Sequence, residues 1–331
     1  MKKFFQFIFP VFACHMLMAQ PKEYYKQVDQ IVWVINDLDA VLKGWSNLGF
    51  EGITPGESFT TSGQEYKGKK VDIKMKTAFM NFGGKAITLI QPEKGKNAYY
   101  DFLKKHGDGA MVLMHRAPSL EEINREVERM AGLGVNVLQR GSFQRGSATI
   151  NYVFFDTQKQ GKYVLGIYGG AEVPAGYLNT PNALNMTFSQ FAFAIKDPAP
   201  VSAFWKKLGF PELEVTHSES WDKEYYGVPS DFQMDLGWQR HGKIVYEWCI
   251  PLKPPTVYAD HIKNHGEGIQ HFGMNVADID KAIAFMTSKG FKISQSGGWG
   301  EKGKKGSGRF AYVDTESIGG ETIELLWNFR E

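Results

Sequence analysis

The chain has 331 residues, which is enough for two domains of ordinary size, each with its own hydrophobic core. It carries 38 basic and 36 acidic side chains, and no run of lysine or arginine is dense enough to follow a phosphate backbone. We therefore expect no nucleic-acid partner. The 36 glycines and the 14% of aromatic residues favour a globular protein rich in strands and tight turns.

The first twenty residues differ from the rest of the chain. Lys2 and Lys3 precede an apolar stretch that is too short to span a bilayer and that ends at Ala19, before a polar segment. This pattern predicts a signal peptide at residues 1–19, a mature protein that is periplasmic or secreted, and no membrane span in that mature form. Lipidation at Cys14 is an alternative. Once the signal peptide is removed, Cys249 is the only cysteine, which excludes an intramolecular disulfide.

An internal repeat organises the mature chain. Two segments begin with a strand-like run that ends in aspartate, and each is followed by a tryptophan and then by Leu-Gly-Phe. Three pairs of matching anchors lie 158 to 160 positions apart: Gln30–Asp37 with Gln190–Asp197, His106 with His265, and Asp156 with Asp314. A tandem duplication explains this regular spacing. We predict an N-terminal domain at residues 24–180 and a C-terminal domain at residues 181–331.

Each copy divides again into two quarters of about eighty residues. In the last quarter, Asp278 is placed to cap a helix, and in the second quarter Ser119 and Glu122 have the spacing of a capping box. Short β-branched or aromatic runs bounded by glycine follow each helix. Every quarter is thus predicted to contain one strand, one helix and about three further strands, and the quarters begin near Gln30, Val112, Gln190 and His271.

This arrangement, with Leu-Gly-Phe after the first helix of each copy, resembles the vicinal oxygen chelate superfamily, which includes glyoxalase I, methylmalonyl-CoA epimerase and extradiol dioxygenases. The most specific motifs are Gly-Glu-Gly-Ile-Gln-His at 266–271, and Tyr-Val-Asp-Thr at 312–315 followed by Gly-Gly-Glu-Thr-Ile-Glu at 319–324. The resemblance implies an α+β fold with tandem domains. Its four βαβββ modules would pair into two curved, cavity-forming sheets.

The resemblance also implies a metal site in the C-terminal half. In this superfamily the metal ligands come from the first and last strands of each module, which here gives a set in the order often found in glyoxalase I: Gln190, Glu247, His271 and Glu324. One imidazole, two carboxylates and an amide oxygen suit one divalent ion, Zn, Ni, Co or Mn. Taken singly, a satisfied buried histidine and solvated carboxylates are the alternatives. However, Glu247 and Glu324 stand in apolar runs, where an unpaired carboxylate is costly.

The N-terminal copy is an internal control for this prediction. The same offsets place Gln30, Thr88, Val112 and Gly166 at the four positions. Valine and glycine side chains offer no metal ligand, so we predict that the N-terminal half lacks the site and serves as scaffold, cavity wall or interface.

Three further residues are candidate substrate contacts: Trp299, Arg240 and Cys249. Trp299 follows two glycines in a segment that could close over a cavity, although a solvated hairpin is an equal alternative. Arg240 precedes the strand of Glu247, and surface placement is its alternative. Cys249 lies two residues beyond Glu247 and should point to the same side of the strand, where a small buried apolar residue is the alternative.

The resemblance implies a metal ion that acts as a Lewis acid on neighbouring substrate oxygens, with Glu324 or Glu247 as the general base. We therefore predict a metal-dependent isomerase, epimerase or lyase that removes a proton next to a carbonyl of a small oxygenated substrate. One alternative is a non-catalytic exported protein that binds a small molecule or a metal. The other is an extradiol-type dioxygenase, which the order of the two copies favours and which Gln190 and the extra carboxylate of Glu247 oppose.

Overall fold

The computed structural model describes residues 21–145, 147–170 and 178–329. The predicted signal peptide at residues 1–19 and Cys14 lie outside the described residues. Within the described part, the chain forms two sheets, one from each half. No helix in these ranges is long and apolar enough to cross a bilayer.

The first sheet is a closed barrel of eight strands, in the order β1-β4-β3-β2-β6-β7-β8-β5. Closure between β2 and β6 leaves the barrel without an exposed edge. The strands are β1 Gln30–Val34, β2 Thr54–Tyr66, β3 Lys69–Phe82, β4 Lys85–Lys94, β5 Gly109–Arg116, β6 Val137–Arg145, β7 Ala148–Phe155 and β8 Val164–Gly169. The helices are α1 Leu38–Asn47, α2 Ala98–His106, α3 Leu120–Gly132 and α4 Gln158–Gly161.

The second sheet has ten strands, in the order β10-β13-β14-β9-β15-β18-β17-β16-β11-β12. The strands are β9 Thr187–Ala194, β10 Glu214–Ser218, β11 Ser220–Tyr225, β12 Val228–Pro229, β13 Gln233–His241, β14 Ile244–Lys253, β15 Gly268–Asn275, β16 Ile293–Trp299, β17 Gly308–Val313 and β18 Thr322–Asn328. The helices are α5 Pro198–Lys207, α6 Val257–Asn264 and α7 Ile279–Ser288, and Glu316–Ile318 forms a short 3-10 helix.

The predicted quarters appear as βαβββ modules. Three of them follow the pattern closely: β1-α1-β2-β3-β4, β5-α3-β6-β7-β8 and β15-α7-β16-β17-β18. The third quarter departs from it, because a hairpin made of β11 and β12 lies between β10 and β13. Strand β11 pairs with β16 of the last module, so the hairpin covers an edge that β2 and β6 close directly in the other half.

The repeated motifs have the same local roles in both copies. Asp37 caps α1 and Asp197 caps α5, each through a side-chain oxygen that accepts a backbone N–H. The glycines of the two Leu-Gly-Phe motifs, Gly49 and Gly209, have φ of 77° and 92° and end these helices in the left-handed region that glycine favours. The predicted cap at Asp278 is confirmed, since its carboxylate accepts the N–H of Lys281 at 3.0 Å.

One hydrophobic core runs through both halves. The indole of Trp33 packs edge-on against Phe82 of its own barrel and against Phe272 of the second sheet. Its Nε1 donates to the carbonyl of Gly319 at 2.6 Å. Aromatic side chains from both halves are thus buried together in one core, through which the two sheets pack against each other.

Candidate metal centre

The predicted ligands lie on four adjacent strands at the middle of the second sheet, β14, β9, β15 and β18. Ala192 of β9 pairs with Glu247 of β14 on one side and with His271 of β15 on the other. Gln190 and Glu324 both pair with the residue two positions beyond His271. Because alternate residues of a strand point to the same face, this register directs the side chains to one place.

The four side chains meet in a tight, buried cluster. Nε2 of His271 lies 3.3 Å from Oε2 of Glu247 and 3.3 Å from Oε2 of Glu324. The amide Nε2 of Gln190 donates to the same two oxygens, at 2.7 Å and 3.1 Å. Their exposed fractions range from 0% for His271 to 8% for Gln190. The structure thus brings together all four residues that the sequence proposed.

The polar atoms of this cluster fit a divalent cation. Nε2 of His271 is buried and makes no hydrogen bond, although it lies close to both carboxylates. Its Nδ1 contacts Oε1 of Gln270 at 2.6 Å, which orients the ring so that Nε2 faces Glu247 and Glu324. Two buried carboxylates that face one ring nitrogen are costly unless a proton or a metal cation lies between them. Half a turn of the Gln190 amide would present its oxygen as a fourth ligand.

The pKa shifts within the cluster also favour a bound cation. Burial alone would lower the pKa of His271, but Glu247 and Glu324 raise it to about 9. Burial and, next, the charge of Glu324 raise the pKa of Glu247. Both shifts reflect an excess of negative charge in a place that excludes water, and this excess favours the binding of positive charge.

The cluster lies at the floor of a cavity of about 520 Å³ that opens to solvent. Alternate residues of β13, from Met234 to Arg240, form one wall. Trp299 and Phe310 belong to the opposite part of the lining. Two of the candidate substrate contacts, Trp299 and Arg240, therefore line this cavity. The exposed guanidinium of Arg240 lies 5.4 Å from the ring centre of Trp238, which holds it beside the cavity.

The third candidate contact, Cys249, is fully buried and is not part of the cavity lining. Its sulfur lies within 4.8 Å of the ligand atoms of Glu247 and His271. Burial raises the pKa of the Cys249 thiol well above its usual range, and the charges of Glu247 and Glu324 add to the effect. The side chain is therefore a neutral thiol packed beside the carboxylates.

Sequence reasoning missed two tyrosines at the site. Tyr258 and Tyr312 both line the cavity, their hydroxyl oxygens are 2.6 Å apart, and their rings lie 6.2 Å and 4.8 Å from that of His271. Burial raises the pKa of both phenols well above the usual range, so both stay protonated. A comparison of the two copies gives one indication of this role, because Phe154 of the N-terminal half, which lacks the site, stands at the position of Tyr312.

The N-terminal barrel has the same strand register without the site. Val32 pairs with Thr88 and Val112, as Ala192 does with the two matching ligands in the other half. A Cβ added at Gly166, the position of Glu324, would lie 2.3 Å from Sδ of Met114, so no acidic side chain has room there. The barrel instead contains a small, largely apolar cavity of about 80 Å³.

Comparisons with known proteins agree with this architecture. A family model described as the glyoxalase/bleomycin resistance protein/dioxygenase superfamily matches residues 29–154 and 189–312, more than half of the chain. A mutant of 4-hydroxymandelate synthase from Streptomyces coelicolor is similar at 12% identity and a TM-score of 0.60, over 91% of this chain and 92% of that one.

Two further solved structures match at the same low identity. A xylose isomerase-like TIM barrel/4-hydroxyphenylpyruvate dioxygenase fusion protein matches at 12% identity and a TM-score of 0.50, over 92% of this chain and 49% of the fusion. Catechol 2,3-dioxygenase matches at 12% identity and a TM-score of 0.46, over 92% of this chain and 94% of the enzyme. By its match to the family model over both halves, the chain belongs to the glyoxalase/bleomycin resistance protein/dioxygenase superfamily, the vicinal oxygen chelate superfamily that its motifs predicted.

Proposed function

We propose that the protein is a metal-dependent isomerase, epimerase or lyase that removes a proton next to a carbonyl of a small oxygenated substrate. The observation that carries the proposal is the buried cluster of one imidazole, two carboxylates and one amide at the floor of an open cavity. The residues that would hold the ion, Zn, Ni, Co or Mn, are Gln190, Glu247, His271 and Glu324. When bound, the ion supplies Lewis acidity toward two neighbouring substrate oxygens.

The chain's own residues would then accept the proton and stabilise the negative charge that its removal leaves on the substrate. Glu247 and Glu324 both line the cavity, and either carboxylate can accept a proton from a carbon next to the carbonyl. Only one hydrogen lies between the hydroxyl oxygens of Tyr258 and Tyr312, so the second hydroxyl hydrogen of the pair can point either to the sulfur of Cys249 or into the cavity. A donor in this position would stabilise negative charge on a substrate oxygen.

The walls of the cavity favour a substrate with an apolar, flat part. Leu236 and Trp238 lie on one wall, and Phe310 and Trp299 contribute aromatic surface to the rest of the lining. Arg240 adds a cation beside the opening, which suits an anionic group on the substrate. A carbonyl compound with an aromatic or branched body and a carboxylate would meet all of these surfaces.

A dioxygenase is the second candidate, and the solved structures support it. Over 92% of its length the chain matches a fusion protein that is named in part for 4-hydroxyphenylpyruvate dioxygenase, at a TM-score of 0.50. Oxygen-activating iron sites of the facial-triad type use two histidines and one carboxylate. Among the described residues the cluster contains one imidazole, that of His271, and Gln190 takes the place of a second. The ligand set therefore favours proton transfer over oxygen activation.

The first test is metal analysis of the purified protein beside the variants Glu324→Ala and His271→Ala. We expect each variant to bind one divalent ion per chain fewer than the wild type. The matched control is Gln30→Ala, which removes the equivalent amide from the N-terminal copy and should leave the metal content unchanged. Retention of the full metal content in both site variants would overturn the proposal.

The second test distinguishes the proton-transfer enzyme from the dioxygenase and from the non-catalytic binding protein. The metal-loaded protein is incubated in D₂O with a panel of α-hydroxy ketones and 2-keto acids, and NMR follows exchange of the proton next to the carbonyl. Exchange that is lost in Glu324→Ala supports proton transfer. Consumption of O₂ with Fe(II) and an aromatic substrate would favour the dioxygenase, and tight binding with neither reaction would favour a non-catalytic binding protein.

We also propose that the protein is exported, because Lys2 and Lys3 precede a short apolar stretch that ends at Ala19. Mass spectrometry of the protein from whole cells should find a mature chain that begins at Gln20. A lipid-modified chain that begins at Cys14 would contradict cleavage at residue 19.

A further inference from the structure

A second cluster of metal-binding side chains lies where the two domains meet. His261 of α6, His265 directly after α6 and Glu316 of the 3-10 helix each offer one ligand atom, and the three atoms lie within 4.8 Å of one another. His265 Nε2 is 3.6 Å from Oε2 of Glu316. The two imidazoles are four positions apart, the spacing that puts side chains on one helical face, and their ring centres are 5.1 Å apart.

In both histidines one ring nitrogen is placed to bind a metal ion. His261 is 5% exposed, and its buried Nδ1 has no hydrogen-bond partner. His265 contacts the carbonyl oxygen of His106 through Nδ1 at 3.0 Å. This contact orients the ring so that Nε2 faces Glu316.

The surroundings of the cluster have an excess of acceptors. His261 and His265 line a cavity of about 20 Å³, together with Glu321 and with Glu267, whose carboxylate pairs with Lys162. Glu321 is 3% exposed, and one of its oxygens accepts the backbone N–H of Ala110 at 2.6 Å. The other oxygen is buried without a partner. Unpaired carboxylate and imidazole atoms around one small cavity favour the binding of a cation there.

The N-terminal copy shows that the side chains of His261 and Glu316 are not needed for packing. Phe102 stands at the position of His261, and the rings of Phe102 and His106 lie 5.0 Å apart, close to the spacing of the two histidines. Gln158 likewise stands at the position of Glu316. His106 and His265 each contact the other's carbonyl oxygen, so a structural role accounts for both of them. It does not account for His261 or Glu316, where the copy has a phenylalanine and an amide.

We propose that His261, His265 and Glu316 form a second metal site, distinct from the one in the cavity, and that it takes one zinc ion. Two imidazoles and one carboxylate form a ligand set that zinc uses with a fourth position left for water. The site lies at the contact between the domains, because His265 also holds the carbonyl of His106 from the other half. A bound ion would therefore stabilise the junction of α6 with the N-terminal barrel.

The test is equilibrium dialysis of the full purified chain against Zn²⁺, with zinc per chain measured by elemental analysis. We expect two ions in the wild type, one in His261→Phe, one in His271→Ala and none in the double variant. His261→Phe and Glu316→Gln copy the residues of the N-terminal half, so both should fold. Unchanged thermal unfolding of these variants in the presence of a chelator checks this point.

The outcomes separate the two sites. Two ions in both His261→Phe and Glu316→Gln would overturn the second site, whatever His271→Ala shows. If His271→Ala keeps every ion while His261→Phe loses one, the cavity site fails and the second site stands. A further readout is thermal: zinc should raise the unfolding temperature of His271→Ala, and this rise should disappear when His261→Phe is added. A rise that persists in the double variant would contradict the proposal.

Discussion

The hydroxyl pair of Tyr258 and Tyr312 gives the sharpest stability prediction. Both side chains are at most 1% exposed, and their oxygens are 2.6 Å apart. Tyr312→Phe leaves the hydroxyl of Tyr258 without this partner, and Tyr258→Phe does the reverse. An unsatisfied buried hydroxyl costs about 1–3 kcal/mol, so each single variant should lose that much free energy of unfolding. The double variant removes both partners and should be no less stable than either single variant.

Urea denaturation of the wild type, both single variants and the double variant completes a thermodynamic cycle. We expect a coupling free energy of about 1–3 kcal/mol between the two positions. The same variants should slow proton exchange next to a substrate carbonyl, by about a hundredfold in the one whose hydroxyl faces the substrate. Additive losses of stability in the double variant would refute the reasoning, because they would mean that each hydroxyl has another partner.

Three further changes have defined outcomes. Burial lowers the pKa of His115 to about 4, below the unfolded value of 6.5, so the unfolded chain takes up the proton first as the pH falls. Urea titrations should show wild type losing about 3 kcal/mol between pH 7 and pH 4 relative to His115→Gln. Trp299→Ala should weaken substrate binding by up to about tenfold in KM, with kcat largely kept. Gly166→Glu should destabilise the barrel by about 1–3 kcal/mol and bind no additional metal.

The repeat in the sequence predicted the modules, and the resemblance to the superfamily predicted which four side chains of these modules converge. A fixed offset between two copies implies the same strand register in both, and in a sheet the register decides which side chains share a face. Ala192 and Val32 occupy the same place in the two registers, one between Glu247 and His271 and the other between Thr88 and Val112. The candidate ligands therefore followed from the superfamily's ligand positions, and the repeat located the equivalent positions in the N-terminal copy.

Features that depend on distant parts of the chain could not be predicted in this way. The partners in the pair Tyr258 and Tyr312 are 54 positions apart, on a helix and a strand, and no periodic pattern links them. The cluster of His261 and Glu316 exists because a short helix after β17 packs beside α6 at the domain junction. The inserted hairpin of β11 and β12 interrupts the repeat, so the N-terminal copy offers no template for it.

The two halves differ in a way that links the loss of one site to the closure of its barrel. In the N-terminal half β2 pairs with β6, and Gly166 lets Val112 and Met114 fill the space where a carboxylate would lie. In the C-terminal half β10 and β16 are not paired in the described sheet, because the hairpin starting at β11 lies between them. The cavity opens on this side, with residues 216–220 in its lining. Buried carboxylates are tolerable only where a cation can reach them. The same strand register is therefore compatible both with an open sheet that carries charged candidate ligands and with a closed barrel whose interior is apolar.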